Sequence, residues 1–283
     1  MESLILIKNR INSIVSTQQI TQSMRTVATV KVQRAREKLL RGRPFVEQAR
    51  RLMQAAGAAL PYRGEHPLLL PREGKRAAVV VISGDRGLCG GYNVNAGKAL
   101  SALAKDMKEI KIITVGSKTA EYCAGRFPGQ VAHAYTGISE NPFYADAEAI
   151  SAALMEWYES GAVDRVYVIY TQFKTMLSQS ARTAQLLPIE LDPPPEGTKT
   201  RFELPAKEAF THAVPFYLTA FVYGAILESA VCEQSARIAT MDAAVKNAGH
   251  MIDSLTLLYH QARQGEITRE IIEIVSGADA AGG

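Results

Sequence analysis

Hydrophobic positions follow one rhythm at the two ends of this chain and another in its middle. From about Ser3 to Leu60, Leu4, Ile7, Ile11 and Ile14 fall three and four residues apart, and Ala28, Val32, Ala35 and Leu39 resume the pattern. Residues spaced this way line one face of a helix and form a coiled-coil seam. From about Lys207 to Ala281 a second long helical pattern runs, with Ile252, Leu255, Leu258 and Ala262 at the same spacing. The segment between is too small to bury both stripes, so the first and last helices are predicted to wind around each other as an antiparallel pair. At about 1.5 Å per residue, roughly 50 residues make a rod of about 75 Å.

The middle reads differently. Ala77 to Ser83 is a short, continuous apolar run between turn signals, as expected of a strand buried on both faces, and similar runs follow at Ile110 to Val115 and Val166 to Tyr170. Helical stretches lie between them at about Tyr92–Met107, Lys118–Arg126 and Tyr144–Ser160. This alternation predicts a parallel, Rossmann-like sheet, with a further strand at Ala184–Leu191 before the Pro193-Pro194-Pro195 run. Pro44, next to Gly42, is expected to bend the first helix, which stops near Pro61. The resulting fold is α/β: an N-terminal coiled-coil helix over 1–60, a Pro/Gly-rich linker over 61–76, a Rossmann-like domain over 77–206 and a C-terminal coiled-coil helix over 207–283.

Composition adds little until charge is mapped onto these elements. The chain has 283 residues, 47% of them hydrophobic and 21% charged, with a net charge of +4. Between Arg25 and Arg51 nine basic residues face only Glu37 and Glu47, so the first helix carries a positive field. A solvated face, nucleic acid, an anionic membrane surface or acidic protein loops would each answer it. Cys89, Cys123 and Cys232 have no metal-ligand or redox spacing and point to a reducing compartment. No stretch is read as reaching the roughly 20 apolar residues of a spanning helix, so membrane association is expected only through partners.

The most specific local string is Ser83-Gly-Asp-Arg-Gly-Leu-Cys-Gly-Gly-Tyr-Asn93, which follows the first strand and precedes a helix. Its glycines permit close backbone approach, as a phosphate-cradling turn requires. They do not form GxGxxG, however, and Gly116-Ser-Lys-Thr119 is no P-loop, having Lys111 where the first glycine belongs. The five histidines lack metal spacing, there is no GxSxG elbow, and Cys89 has no paired base. No catalytic residue, cofactor site or metal site is therefore expected. In the last helix, Glu233, Arg237 and Met241 recur every four residues, and a Glu–Arg pair so spaced is usually a surface staple worth about 0.2–0.5 kcal/mol. Ile271, Ile272, Ile274 and Val275 form an apolar tip that needs a sleeve from other chains.

Three blocks together make the chain resemble the gamma subunit of the F-type rotary ATP synthase over nearly its whole length. They are Gln19-Ile-Thr-Gln-Ser-Met24 through Arg34-Ala35; Asp85-Arg-Gly-Leu-Cys-Gly-Gly-Tyr-Asn93; and Glu233-Gln-Ser-Ala-Arg237 through Tyr259, Arg263-Gln264, Ile267-Thr268 and Glu270 to Ala278. The resemblance implies a central shaft whose paired helices run through a ring of alpha and beta subunits. Its α/β domain would sit on the c-subunit rotor ring with the epsilon subunit. It further implies that Arg263, Gln264, Thr268 and Glu270 touch the inner loops of the alpha/beta ring. Met24 and Arg237 would lie in the coupling region, and Asp85, Arg86, Gly87, Cys89, Gly90 and Asn93 near epsilon and the rotor ring. Chemistry would stay in the beta subunits, with no cofactor here and no nucleic acid. The chain departs from the family at Gly265, at His260 and in the terminal Ala280-Ala-Gly-Gly283, and it lacks the cysteine-bearing insertion of the chloroplast form. With an initiator methionine and no transit-like leader, it is expected at the cytoplasmic face of a bacterial plasma membrane, as a peripheral subunit. Two alternatives are a Rossmann-type nucleotide-binding enzyme, which the absent fingerprint disfavours, and a basic coiled-coil nucleic-acid binder. The lack of aromatic residues among the arginines disfavours the second.

Overall fold

A computed structural model of the chain describes residues 4–60, 66–176, 178–191 and 202–281. The helix start at Ser3, linker residues Pro61 and Gly64, the Pro193–Pro195 run and the final Gly282-Gly283 lie outside the described residues. The elements run α1 (Leu4–Ala58), β1 (Arg76–Ile82), α2 (Tyr92–Ala104), β2 (Glu109–Val115), α3 (Ser117–Arg126), β3 (Val131–Tyr135), α4 (Tyr144–Glu159), β4 (Arg165–Phe173), β5 (Gln179–Leu187) and α5 (Ala206–Ala281). They form two compact units, one of Thr29–Arg237 and one made from the two ends, Met1–Ala28 with Ile238–Gly283.

In the larger unit a five-stranded sheet has the order β3-β2-β1-β4-β5. β1 pairs in parallel with β2 and β4, β2 with β3, and β5 closes the far edge antiparallel to β4. Alternation along β1 feeds two cores. Ala78, Val80 and Ile82 join Ile150 and Leu154 of α4 and Phe210, Leu218 and Val222 of α5. Ala77, Val79 and Val81 meet Leu100 of α2 and Cys123 of α3 on the other face. Both faces being packed in apolar cores, β1 reads as an unbroken apolar run.

Several expectations need correction. The sheet is mixed, because β5 runs antiparallel; it starts at Gln179 and ends at Leu187, earlier at both ends than the sequence pattern suggested. β3 was not anticipated at all. It is a short edge strand whose three central residues are exposed, so its sequence carries neither an apolar run nor a clean alternation. As expected, α1 does continue to Ala58 past Pro44. Gly42 beside it serves close packing: a Cβ there would come 2.8 Å from Leu227 Cδ1 on α5, and one at Gly224 of α5 would come 3.0 Å from Val46 Cγ2 on α1. α5 does contain an 18-residue window apolar enough to cross a membrane, but 61% of it is buried within the protein, as in a core helix.

The smaller unit pairs the start of α1 with the later part of α5. Gln18 Nε2 donates to Val245 O at 3.2 Å and Arg25 Nη1 lies 2.7 Å from Asp242 Oδ1, so the partner number falls as α1 advances and the helices are antiparallel. Ile7 and Ala28 are buried in the seam and Leu4, Ile11 and Ile14 half-buried, as their spacing requires. On α5, Ile252, Leu255 and Ala262 are half-buried, whereas Leu258 is exposed and Thr256 and Tyr259 turn inward. The helical period of 3.6 drifts from a strict 3.5 repeat, which carries Leu258 off the seam.

The entry to β1 is fixed by one buried carboxylate. Asp164 Oδ2 accepts from Arg76 N and Nε, each at 3.0 Å, and Oδ1 from Arg76 Nη2 at 2.7 Å. These bonds hold Asp164 below its ordinary pKa of 3.8. A carboxylate depressed in the folded state stabilises the fold above pH 3.8 and loses that contribution as pH falls through the lowered value. Asp164→Asn is accordingly expected to melt lower than the wild type at neutral pH and to show a weaker acid dependence of Tm below pH 3.8, read by circular dichroism.

Candidate functional site

The carboxyl ends of the parallel strands are where an open α/β sheet takes a ligand, at the point where successive connections turn to opposite sides of the first strand. Here that point lies beside β1, flanked by β2 and β4, and the Ser83–Asn93 loop emerges from it. Backbone donors converge there, including Ser117 N at the start of α3 and Gly137 N after β3. Such an arrangement commonly cradles an anion. The chain's own Asp85 fills the role. Its Oδ1 accepts from Ser117 N at 3.0 Å, and its Oδ2 from Gly137 N at 3.0 Å and Ser139 Oγ at 2.6 Å. Asn93 brackets the loop, accepting from Gly84 N at 2.9 Å and donating to Arg86 O at 3.1 Å. Gly90 takes a φ of 57°, in the left-handed region that glycine enters without strain, but Leu88 does so as well at 60°. Burial pushes the Cys89 thiol above its ordinary pKa, so it stays protonated.

α5 closes the crevice from the other side. The Glu233–Arg237 pair is no surface staple: the two side chains are only 1% and 8% exposed, with Arg237 Nη2 2.7 Å from Glu233 Oε1. Arg237 Nη2 also donates to Gly87 O at 3.2 Å. Glycine is needed at position 84 because a Cβ there would fall 2.7 Å from the Glu233 carboxyl carbon. Glu233 Oε2 is buried with no hydrogen-bond partner, and burial raises the Glu233 pKa against the opposing bond from Arg237. Tyr92 OH, which donates to Ser229 O at 3.1 Å, ties α2 to the same helix.

The remaining candidate residues fall elsewhere. Met24 belongs to the smaller unit, half-buried on α1. Arg237 belongs to the larger one and joins the Asp85–Asn93 loop. Arg263, Gln264, Thr268 and Glu270 lie on α5, where every residue from Arg263 to Ala278 is exposed. Thr268 Oγ1 donates to Gln264 O at 2.8 Å, one turn back. At about 100° per residue, Arg263, Gln264, Ile267, Thr268, Ile271, Ile274 and Val275 fall within an arc of about 140°. Arg269 and Glu273 pair on the opposite side, 3.6 Å apart. The end of α5 thus presents one mixed apolar and uncharged-polar face with a single arginine, uncovered among the described residues.

Two further features escaped sequence reasoning. Glu140 lies 2.9 Å from Lys31 of α1 and 3.2 Å from Arg86 of the loop. The first of these contacts joins positions 109 residues apart, which no local pattern announces. Lys31 and Arg25 therefore have acidic partners on distant segments, and the α1 field is partly neutralised from within the chain. The second feature is a cavity of about 720 Å³ at the amino ends of β1, β2 and β3, with Lys108, Lys111 and Arg126 on its wall. The carboxyl ends of α2, α3 and α4 approach the same cavity. These cations complement exposed helix carbonyls, whose dipoles disfavour an anionic ligand there.

Comparison with known proteins now bears on these features. The sequence pattern of a family described as ATP synthase matches residues 3–281. An ATP synthase gamma chain of Anaeromyxobacter sp. (strain Fw109-5) is 40% identical over 289 residues, covering 99% of both chains. One from Pelotomaculum thermopropionicum is 41% identical over 288 residues, again with 99% of each covered. Among solved structures, a chain of the Euglena gracilis mitochondrial ATP synthase, described as OSCP/F1/c-ring, superposes with a TM-score of 0.71 at 19% identity, covering 98% of this chain and 94% of that one. One from the Tetrahymena thermophila central stalk and c-ring gives 0.64 at 22%, covering 80% and 99%. At these identities the structures speak for the fold.

Removing one member of a buried ion pair strands the other. Arg237→Ala, which strands the Glu233 carboxylate with no donor and removes the bond to Gly87 O, is expected to destabilise the chain by about 3–5 kcal/mol, and Glu233→Gln, which also strands a charge but leaves the guanidinium an amide oxygen and Gly87 O to bond, by less. Urea unfolding of the two variants checks the order.

Proposed function

The chain belongs to the ATP synthase gamma-chain family, and from that premise we propose that it is the central rotor shaft, coupling ion flow through a membrane rotor ring to nucleotide chemistry in a surrounding ring of alpha and beta subunits. The observation that supports this best is the end of α5. Sixteen consecutive exposed residues, Arg263 to Ala278, carry Ile271 at 55%, Ile274 at 71% and Val275 at 54% exposure. An apolar face of that kind suits a bearing, because non-directional contacts can be exchanged as a shaft turns while fixed hydrogen bonds would favour one angle. Arg263, Gln264, Thr268 and Glu270 would supply the few polar contacts to the inner loops of the alpha/beta ring.

The larger unit supports a non-catalytic role. Its ligand crevice is occupied by Asp85, Glu233 and Arg237, so catalysis would rest with the beta subunits and the chain would need no cofactor. Among the loop residues, Asp85, Gly87, Cys89, Gly90 and Asn93 are engaged in holding the loop itself. Arg86, with its side chain 70% exposed, and Leu88, 59% exposed, are the loop residues placed to meet an epsilon subunit. Met24 would act in coupling from the smaller unit. Membrane association would come through the rotor ring, which for a bacterial enzyme puts the chain at the cytoplasmic face of the plasma membrane. Driven rotation of the shaft would then bias the beta sites among states of different nucleotide affinity.

Tagged chain recovered from its native membranes is expected to bring alpha, beta and epsilon subunits with it, with ATPase activity in the complex and none in the chain alone. A solitary chain with its own turnover would defeat the reading. Within the complex, Gln264→Ala and Thr268→Ala are expected to lower ATP-driven ion pumping more than they lower the yield of assembled complex, measured side by side in inverted vesicles.

A further inference from the structure

We propose that the loop following β1, with the Glu140 carboxylate, is a collar that fixes the angle of both long helices relative to the sheet, with Glu140 as its positioning residue. The inference rests on the rotor-shaft reading and adds to it a place where torque passes from sheet to helices. Two neighbouring loop residues receive the two helices. α1 reaches Arg86 through Glu140: Lys31 Nζ lies 2.9 Å from both carboxylate oxygens, and Arg86 Nε lies 3.2 Å from Oε1. α5 reaches Gly87 directly, through the 3.2 Å bond from Arg237. The loop is in turn fastened to the connections after β2 and β3 by the three bonds of Asp85.

All of these groups belong to Thr29–Arg237, and Lys31 and Arg237 stand at its limits, where α1 and α5 leave it. Further into the unit α5 also bonds the sheet through Glu228, Ser229 and Cys232, and α1 bonds Asn141 through Lys38, amid apolar contact that resists separation but is non-directional. Directional, charge-assisted bonds at the point of exit resist rotation as well. Arg86 and Glu140 keep solvent contact, with side chains 70% and 28% exposed, so this half of the collar is sensitive to ionic strength. That sensitivity separates an electrostatic collar from a residue that matters only for folding.

The test uses the whole complex from native membranes, with the alpha/beta ring immobilised and a probe on the sheet unit of the chain. Its angular fluctuations are recorded while the motor is stalled. Glu140→Gln is expected to leave ATP hydrolysis and the melting temperature unchanged and to widen the angular variance about twofold at low salt, the scale expected when weak solvent-exposed pairs are lost together. Wild-type variance should rise with salt toward that of the variant, whose own variance should stay flat. Glu140→Lys should widen it further, and adding Lys31→Glu with Arg86→Glu should narrow it again. Equal variance for wild type and Glu140→Gln at low salt, in a complex that still rotates, would overturn the collar. Absence of rotation in the wild type would instead overturn the shaft reading beneath it.

Discussion

One backbone has to satisfy two opposite surroundings, and the rest of the fold follows from how α5 does so. Its first half is core: Phe210, Val214, Leu218, Val222 and Ile226 are buried against the sheet. Its last turns have no intramolecular cover among the described residues. An isolated helix is marginal in water, so the exposed end depends on being the continuation of a segment already fixed by packing. The stretch of α5 paired with the start of α1 is the fixed segment that the uncovered end continues. The close approaches at Gly42 and Gly224 serve the same purpose, letting α1 lie directly against the buried half of α5.

The second constraint is the carboxyl edge of the sheet. Parallel strands leave a crevice with converging backbone donors, and here those groups are satisfied from within the chain. Asp85 occupies the place of an anion, and Glu233 and Arg237 bring a buried ion pair over it. A buried pair of this kind offers little net stability, yet removing one partner is costly. Its value here is positional, since Arg237 fixes where α5 stands relative to the loop. The string that most invites a phosphate-binding reading is thus the one that fills the site.

How far the sequence carried the structure can be judged element by element. The helical stripes of α1 and the apolar runs of β1, β2 and β4 were legible because burial writes itself directly into their periodicity. β3 was not, because an exposed edge strand is held by backbone bonds that place few demands on side chains. The Glu233–Arg237 pair was legible as an i,i+4 contact but not as a buried one, since its burial comes from Gly84 and Gly87, which lie about 150 residues away. Glu140 was invisible for the same reason. Of the candidate residues, those of the Asp85–Asn93 loop and Arg237 meet in space, while Arg263, Gln264, Thr268 and Glu270 stand apart on an open helix face.

The pairing of Gln18 with Val245 spans 227 residues, and this has a consequence for biosynthesis. At about 5–20 residues per second, the partner strip of α5 leaves the ribosome roughly 10–45 s after the start of α1. During that interval this segment of α1 has its apolar stripe, Leu4 to Ile14, without the surface that will cover it. This strip of α1, made well before its partner, thus docks late, and a holding chaperone or a temporary helix partner would serve to cover it in the meantime.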